Sequence, residues 1–453
     1  MKLKTLLVGL AVAAVVVVVL VAATRTTIRK AAESYVYGYP LVLMDVTQRA
    51  FTATRAAPNT LFNVPVFPDA GFREVVRPNV DTLYSIAWLD LADGPRVFEV
   101  PATDRYYVMQ LLDGWTNVFA SIGSRTTGRG AGVFLIAGPG WDGAVPDGAT
   151  LLRSPTRIAW LLGRIQTNGV ADYGFVHGLQ AQLRLRSLED FVAGSTPTPT
   201  AWQRAATSPE PPLFQMRAMD AGTYFGTLAR LLADNPPAAS DGPALEKLES
   251  LGVRPGQPVE AWGWLEHEAI SVGMKIAARR MQRAAESPRE LHAGWSVPPM
   301  NIGAYGTEYG LRAVVAMAGL GANLPADAVY PNAQRDADGE LLSGELRYVL
   351  HFPAGGLPPV RAFWSVTAYD GDGFLIANPI GRYALGDRDP LTFNADGSLD
   401  IYLQAEPPEA GRRNNWLPVA GQGAFRVTAR LYWPQDAILN GDWRMPGIRR
   451  ITH

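Results

Sequence analysis

From Leu6 to Ala23 the chain carries no polar side chain at all. As a helix, about 18 residues at about 1.5 Å each span about 27 Å, close to the hydrocarbon thickness of a bilayer. Water does not accommodate such a segment, so it either stays in a membrane or is removed. It is longer than the apolar core of an ordinary secretory signal. Residues 1–30 therefore read as an uncleaved signal anchor. Cleavage near Val21 and Ala23 is the rival reading, and a buried soluble helix is a third. Lys2 and Lys4 on one side face Arg25, Arg29 and Lys30 on the other, so charge alone does not orient the span. In either leading reading the body lies outside the cytoplasm. It is membrane-anchored and facing the periplasm or extracellular side, or secreted if the segment is cleaved.

The remaining chain is too long for one ordinary core, and two or three domains are expected from 453 residues. With 18% charged residues and a formal net charge of -1, it has no basic field for nucleic acid. There is no cysteine, which excludes disulfides, thiolate nucleophiles and cysteine-bound zinc. The 35 prolines and 45 glycines are spread throughout, as in a loop-rich, largely β protein.

Residues 31–44, "AAESYVYGYPLVLM", read as a helix ending near Gly38 and Pro40. After Pro58, short apolar runs alternate with turns at the spacing of strands. "LLRSPTRIAWLLGRIQT" fits a strand or a short helix. From about Ser187 to Ser287, apolar residues recur at three- and four-residue steps, the period of helices. From Leu341 strands return. In "LRYVLHF", Leu346, Tyr348, Leu350 and Phe352 share one face, as in a half-buried antiparallel strand.

Several of these segments resemble known families. "YVYGYPLVLM", "RPNVDTLYS", "DGWTNVF" and "GVFLIAGPGWDG" are similar to the bacterial family called domain of unknown function 1254. "AFWSVTAYDGDGFLIANPIGRYALGDRDPLTFNADGSLDIYLQ" and "NNWLPVAGQGAFRVTARLYWP" are similar to its usual companion, domain of unknown function 1214. The resemblance implies an α+β, two-domain chain: a mixed N-terminal domain (31–186), a helical segment (187–295) and a jelly-roll-like antiparallel β-sandwich (296–453). It implies no established activity.

Chemistry is expected first in "RPNVDTLYSIAW", Arg77 to Trp88, which is too polar for a strand that only fills a core. In an extended strand Asn79, Asp81 and Leu83 point one way and Thr82, Tyr84 and Ile86 the other. A second polar set, Asp113, Trp115, Thr116 and Asn117, surrounds Gly114, where a bulge would re-aim a side chain. The expectation is that Asp81 and Asp113 meet in one pocket as catalytic carboxylates, with Asn79, Tyr84, Trp115 and Asn117 binding the ligand around them. Two carboxylates in different environments divide acid and base roles in a hydrolase. With amide oxygens they would instead hold a hard cation such as calcium, and beside aromatic rings they suit a sugar. The plain alternative is that each caps its own turn. In the C-terminal half, Arg382 and Trp416 are the candidate ligand-binding residues, with packing or pairing to Asp387 and Asp389 as the alternative. Tyr305, Glu308, Tyr309 and Arg312 cluster at a helix start, where Glu308 would complement the dipole.

Other motifs fail. "GPGWDG" matches G-x-G-x-x-G, but no helix pattern follows it. The five histidines have no metal-ligand spacing, and neither a G-x-S-x-G elbow nor a Walker loop occurs. No metal and no cofactor is expected. The leading functional reading is a carboxylate-based hydrolase at the cell envelope. The alternatives are a non-catalytic binding module for a glycan or lipid-like ligand, and a structural envelope protein that forms a homo-oligomer through its sandwich.

Overall fold

The computed structural model describes residues 2–195, 203–207, 209–286 and 291–451, with residues 2–20 described by backbone course alone. One helix, α1 (Lys2–Thr54), opens the chain. The end expected near Gly38 and Pro40 does not occur. Proline inside a helix forfeits a hydrogen bond and costs about 3 kcal/mol. Packing outweighs that loss here: Leu41, Val42, Leu43 and Met44 are all at most 1% exposed. Gly38 serves close approach instead, since a Cβ there would lie 2.4 Å from the Leu228 side chain. Among the described residues no helix is long and apolar enough to cross a membrane. Most of the run that reads as an anchor, through residue 20, lies outside the side chains described.

Nine strands follow: β1 (Phe62–Asn63), β2 (Thr82–Asp90), β3 (Arg96–Val100), β4 (Tyr107–Asp113), β5 (Val118–Gly123), β6 (Gly132–Ala137), β7 (Ala149–Arg153), β8 (Ile158–Gln166) and β9 (Arg184–Ser187). They form two sheets, ordered β1-β2-β8-β4-β5 and β7-β6-β3-β9. The equivocal segment after Leu151 thus ends β7 and becomes β8, a strand buried on both faces, which is why its apolar run has no alternation. The two sheets share a core that includes Leu83, Leu89, Phe98, Leu111, Ile136 and Leu161, closed by α2 (Tyr173–Gln180). The opposite face of the first sheet, with Trp88 and Trp160 stacked at 4.7 Å, packs on helices.

Those helices are the helical middle: α3 (Leu188–Val192), α4 (Pro212–Ala218), α5 (Ala221–Asp234), α6 (Gly242–Glu249) and α7 (Trp264–Glu286), joined by α8 (Tyr309–Gly319). The Asp220 side chain caps α5 by accepting the Thr223 N–H at 2.7 Å. α1 supplies their common centre, with Tyr37 and Leu41 against Phe225, Leu228, Ile270 and Ala313.

The C-terminal strands are β10 (Leu291–His292), β11 (Trp295–Ser296), β12 (Ala328–Val329), β13 (Asn332–Ala333), β14 (Tyr348–Phe352), β15 (Val360–Asp370), β16 (Ala384–Gly386), β17 (Leu399–Gln404), β18 (Trp416–Pro418), β19 (Phe425–Pro434) and β20 (Ile448–Arg450), with α9 (Asp436–Leu439) after β19. They make two sheets, β10-β11-β13-β19-β15-β16 with β12 on β19, and β18-β17-β14-β20. Their inner faces meet in one core, so the region is a β-sandwich. Tyr348, Leu350 and Phe352 are each 0% exposed, in line with the alternation of β14. The pairing departs from the expected antiparallel pattern at one edge, where β17 and β18 run parallel. The fold is α+β. Tyr106, Val108, Ala328, Phe363 and Tyr432 form a small separate core where the sandwich meets the first sheet.

Candidate functional site

The polar residues of "RPNVDTLYS" sit at this seam. Asn79 precedes β2 in a turn in which its side-chain oxygen accepts the Asp81 N–H at 2.7 Å. The turn breaks the alternation expected from Pro78 onward and moves Asn79 to the Tyr84 side. Its amide nitrogen then lies 2.9 Å from the Thr82 hydroxyl, 3.2 Å from the Tyr84 phenol and 2.9 Å from the Tyr432 phenol.

Tyr84 pairs directly with Arg164 across β2 and β8, and the Arg164 guanidinium lies 5.1 Å from the Tyr84 ring centre. Arg164 donates to the Asn323 side-chain oxygen at 2.6 Å and to the Gly321 carbonyl at 2.9 Å, while its Nε–H has no partner. Asn323 in turn donates to the Tyr330 phenol at 2.8 Å. From β19, Arg430 donates to the Thr367 hydroxyl at 2.8 Å and to the Tyr369 phenol at 2.6 Å. Three phenols (Tyr84, Tyr330 and Tyr432), two guanidiniums and two amides thus converge from both sides of the seam.

The electrostatics are one-sided. Arg164 is buried and forms no ion pair among the described residues; the ionisable groups beside it are Tyr84, Tyr330 and Tyr432. Arg430, also buried, has only a long approach of 4.0 Å to Asp81. Burial pushes the Tyr84 phenol up, but Arg164, the Asn79 hydrogen bond and Arg430 outweigh it and hold Tyr84 below the usual tyrosine value. Burial raises Tyr330 to about 12 and Tyr432 well above the ordinary value. Tyr84 is therefore the phenol that ionises first. Tyr84 and Tyr330 are each only partly buried and keep some accessible surface. Arg77 and Trp433, which flank Asn79 and Tyr432, hold positive φ of 52° and 50°. Bulky residues rarely adopt that conformation, and it concentrates at functional sites. Tyr106, packed on Tyr432 with ring centres 6.0 Å apart, also lines an open basin of about 570 Å³ with Arg105, Arg129 and Arg361.

The carboxylates expected to meet do not. The Asp81 carbonyl accepts the Thr167 N–H at 3.0 Å, whereas Asp113 pairs with Ala159 on the same strand, β8. Eight residues of strand, about 26 Å at about 3.3 Å each, separate them. Asp81 is 1% exposed, and both of its oxygens are taken, one by Arg388 and the other by the Ser365 hydroxyl at 2.7 Å. It ties the sandwich to the first sheet. Asp113 folds its own loop, accepting the N–H groups of Trp115 at 2.9 Å and Asn117 at 2.8 Å and the Asn117 amide at 3.1 Å. Burial raises its carboxyl to about 6 despite those bonds. Trp115 packs in the helical core against Tyr37 and donates to the Pro236 carbonyl at 3.2 Å. Arg382 forms no ion pair among the described residues; it donates to the carbonyls of Arg413 at 2.9 Å and Trp416 at 2.8 Å, clamping that loop. Trp416 is 4% exposed, with its indole N–H on the Gln404 carbonyl. Of the expected site residues, Asn79 and Tyr84 share a cluster. Asp81 braces it from behind, and the others lie elsewhere.

Arg164, Asn323, Tyr330, Arg430 and Tyr432 were not expected from the sequence. The available signal was an arginine flanked by apolar residues within a strand, "WLLGRIQ" for Arg164 and "FRVTARLYW" for Arg430.

Residues 58–187 match the family model described as protein of unknown function DUF1254, and residues 327–436 match that of DUF1214. The chain combines these two domains in that order. The seam site draws Asn79, Tyr84 and Arg164 from the DUF1254 domain and Tyr330, Arg430 and Tyr432 from the DUF1214 domain. The crystal structure of the VPA0106 protein from Vibrio parahaemolyticus is similar over 94% of this chain and all of that one, with 26% identity and a TM-score of 0.71. An uncharacterized protein from Burkholderia cenocepacia aligns over 96% of both chains at 13% identity and a TM-score of 0.44. No curated protein matches the chain.

Proposed function

We propose that the chain binds a small anionic molecule at the seam between its two domains, cradled by Arg164, Arg430 and the phenols of Tyr84, Tyr330 and Tyr432. One observation carries this reading: a buried guanidinium, Arg164, that has no ion pair among the described residues. A buried cation without a counter-ion is expensive. An anion of the ligand, or the Tyr84 phenolate in its absence, balances it. Guanidinium charge attracts carboxylate and phosphate groups, and the basin beside Tyr106, where Arg129 and Arg361 face Asp104 and Arg105 pairs with Asp172, is net positive and favours the approach of the same charge. Binding rather than two-carboxylate hydrolysis is the better reading, because Asp81 and Asp113 are far apart and each is already bonded. The Tyr84 phenol remains a group able to exchange a proton with the ligand. The apolar run from Leu6 to Ala23 supports the reading that this site stands at the cell envelope.

The test is native mass spectrometry of the full chain with small carboxylates and inorganic phosphate, paired with a titration of Tyr84. Ligand charge and phenolate compete for the same guanidinium, so a bound anion raises the Tyr84 pKa. The reading fails if no anion binds, or if one binds equally well to Arg164→Gln.

A further inference from the structure

A second cavity, unconnected with the seam, lies between α1, α6, α7 and α8, with a volume of about 260 Å³. Small residues make it: Ala32 on α1, Ala244 on α6, Ala277 on α7 and Gly310 on α8 leave space where larger side chains would meet. Its lining is nearly all apolar, and an apolar cavity stays dry and takes hydrocarbon. Two features depart from that. Ser34 lines it and is 1% exposed, and its hydroxyl has no hydrogen-bond partner. A helical serine ordinarily turns to the carbonyl one turn back; this hydroxyl instead lies occluded in the cavity wall without a partner. At the mouth, Lys247 pairs with Glu33 at 2.8 Å, while exposed Arg280 has no ion pair among the described residues. The rim thus carries one net positive charge.

We infer that this cavity binds a single alkyl chain with an anionic head: the chain between α1 and α7, and the head at Arg280. The cavity is slightly smaller than the roughly 300–1,000 Å³ of ordinary small-molecule sites, which favours one slender chain over a ring system. Its position on α1, nine residues beyond the apolar run that ends at Ala23, puts it within reach of a membrane surface. A free alkanoate or one chain of an anionic phospholipid would supply the same chemistry.

The test uses the full chain in lipid nanodiscs and dodecanoate carrying a diazirine on its chain, with adducts mapped by peptide mass spectrometry. Saturable labelling of residues 32–37 and 277–280 is expected. Unlabelled alkanoates should compete about fourfold better per added methylene until the cavity is full. Ala277→Phe, which fills the space, should cut labelling at least tenfold. Arg280→Gln, an exposed change that leaves the core intact, should weaken competition by about threefold. Competition by a phospholipid and by free dodecanoate both support the site, and their ranking identifies the source. Labelling confined to other segments, labelling undiminished in both variants, or equal labelling by a diazirine-bearing dodecylammonium would overturn it.

Discussion

Replacing Arg164 with glutamine should send the Tyr84 phenol back above the ordinary tyrosine range. The guanidinium lies 5.1 Å from the Tyr84 ring. At an effective dielectric of about 20, two unit charges at that distance interact by about 3 kcal/mol, or about 2 pK units. Burial alone pushes the phenol up, so losing this attraction reverses the sign of the shift. Glutamine keeps an amide donor for the Asn323 oxygen and so limits the cost of an orphaned buried acceptor. The assay is tyrosinate ultraviolet absorbance against pH, with Tyr84→Phe identifying the step that belongs to Tyr84. Wild type should show that step below about 10, and Arg164→Gln should show it above. The linkage has a definite sign. A lowered phenol adds stability that is present above the unfolded pKa near 10 and lost as pH falls through the folded value. Wild type should therefore gain stability over Tyr84→Phe only as pH rises through that window. A Tyr84 step at or above the ordinary value in wild type, or one unmoved in Arg164→Gln, would refute the electrostatic account of the seam.

Asp113→Asn should remove a term that opposes the loss of stability in acid. Its carboxyl is raised to about 6, so its favourable share is complete below about 4 and lost as pH rises through about 6, a difference of about 3 kcal/mol in denaturant titrations. Asp81→Ala strands the Arg388 guanidinium and should cost about 3–5 kcal/mol. A loss below 1 kcal/mol would show that this ion pair does not brace the seam. Gly38→Ala gains up to about 1 kcal/mol of helix propensity but places a methyl 2.4 Å from Leu228. A net loss of about 1–2 kcal/mol is expected, relieved when Leu228 is shortened to alanine.

The fold was legible where period and burial agree. The alternation of β14 is explicit in "LRYVLHF", and the three- and four-residue steps of α5 and α7 are explicit in their sequences. Pro40 misled because a local signal met a buried segment, and packing of Leu41 to Met44 overrode it. The site was half legible. "RPNVDTLYS" announced polar work at the head of β2, but alternation predicts faces only within a strand, and Asn79 lies in a turn outside it. The pairing of Asp81 with Asp113 failed for a different reason. Proximity in sequence says nothing about register, and β8 holds the two at opposite ends. Tyr330, Arg430 and Tyr432 lie more than 240 residues from Tyr84, so no local pattern could have joined them to it.

The seam explains why these side chains come from two domains. Arg164 lies on the face of β8 that turns away from the DUF1254 domain's own sheet-on-sheet core, and Arg430 extends from β19 toward the carbonyls of Arg77 and Pro78. Arg430 keeps the Thr367 and Tyr369 hydroxyls of its own domain, whereas Arg164 takes its partners, Asn323 and Gly321, from outside its own. Docking supplies Arg164 with these groups and with phenols, but with no ion pair among the described residues. Arginine–carboxylate pairs secure the periphery of the same interface, at Asp81 with Arg388 and at Asp327 with Arg125. The proposed anion site therefore rests on Arg164, which has no ion pair among the described residues and lies beside a phenol held below its ordinary pKa, while Arg430 keeps Asp81 at 4.0 Å.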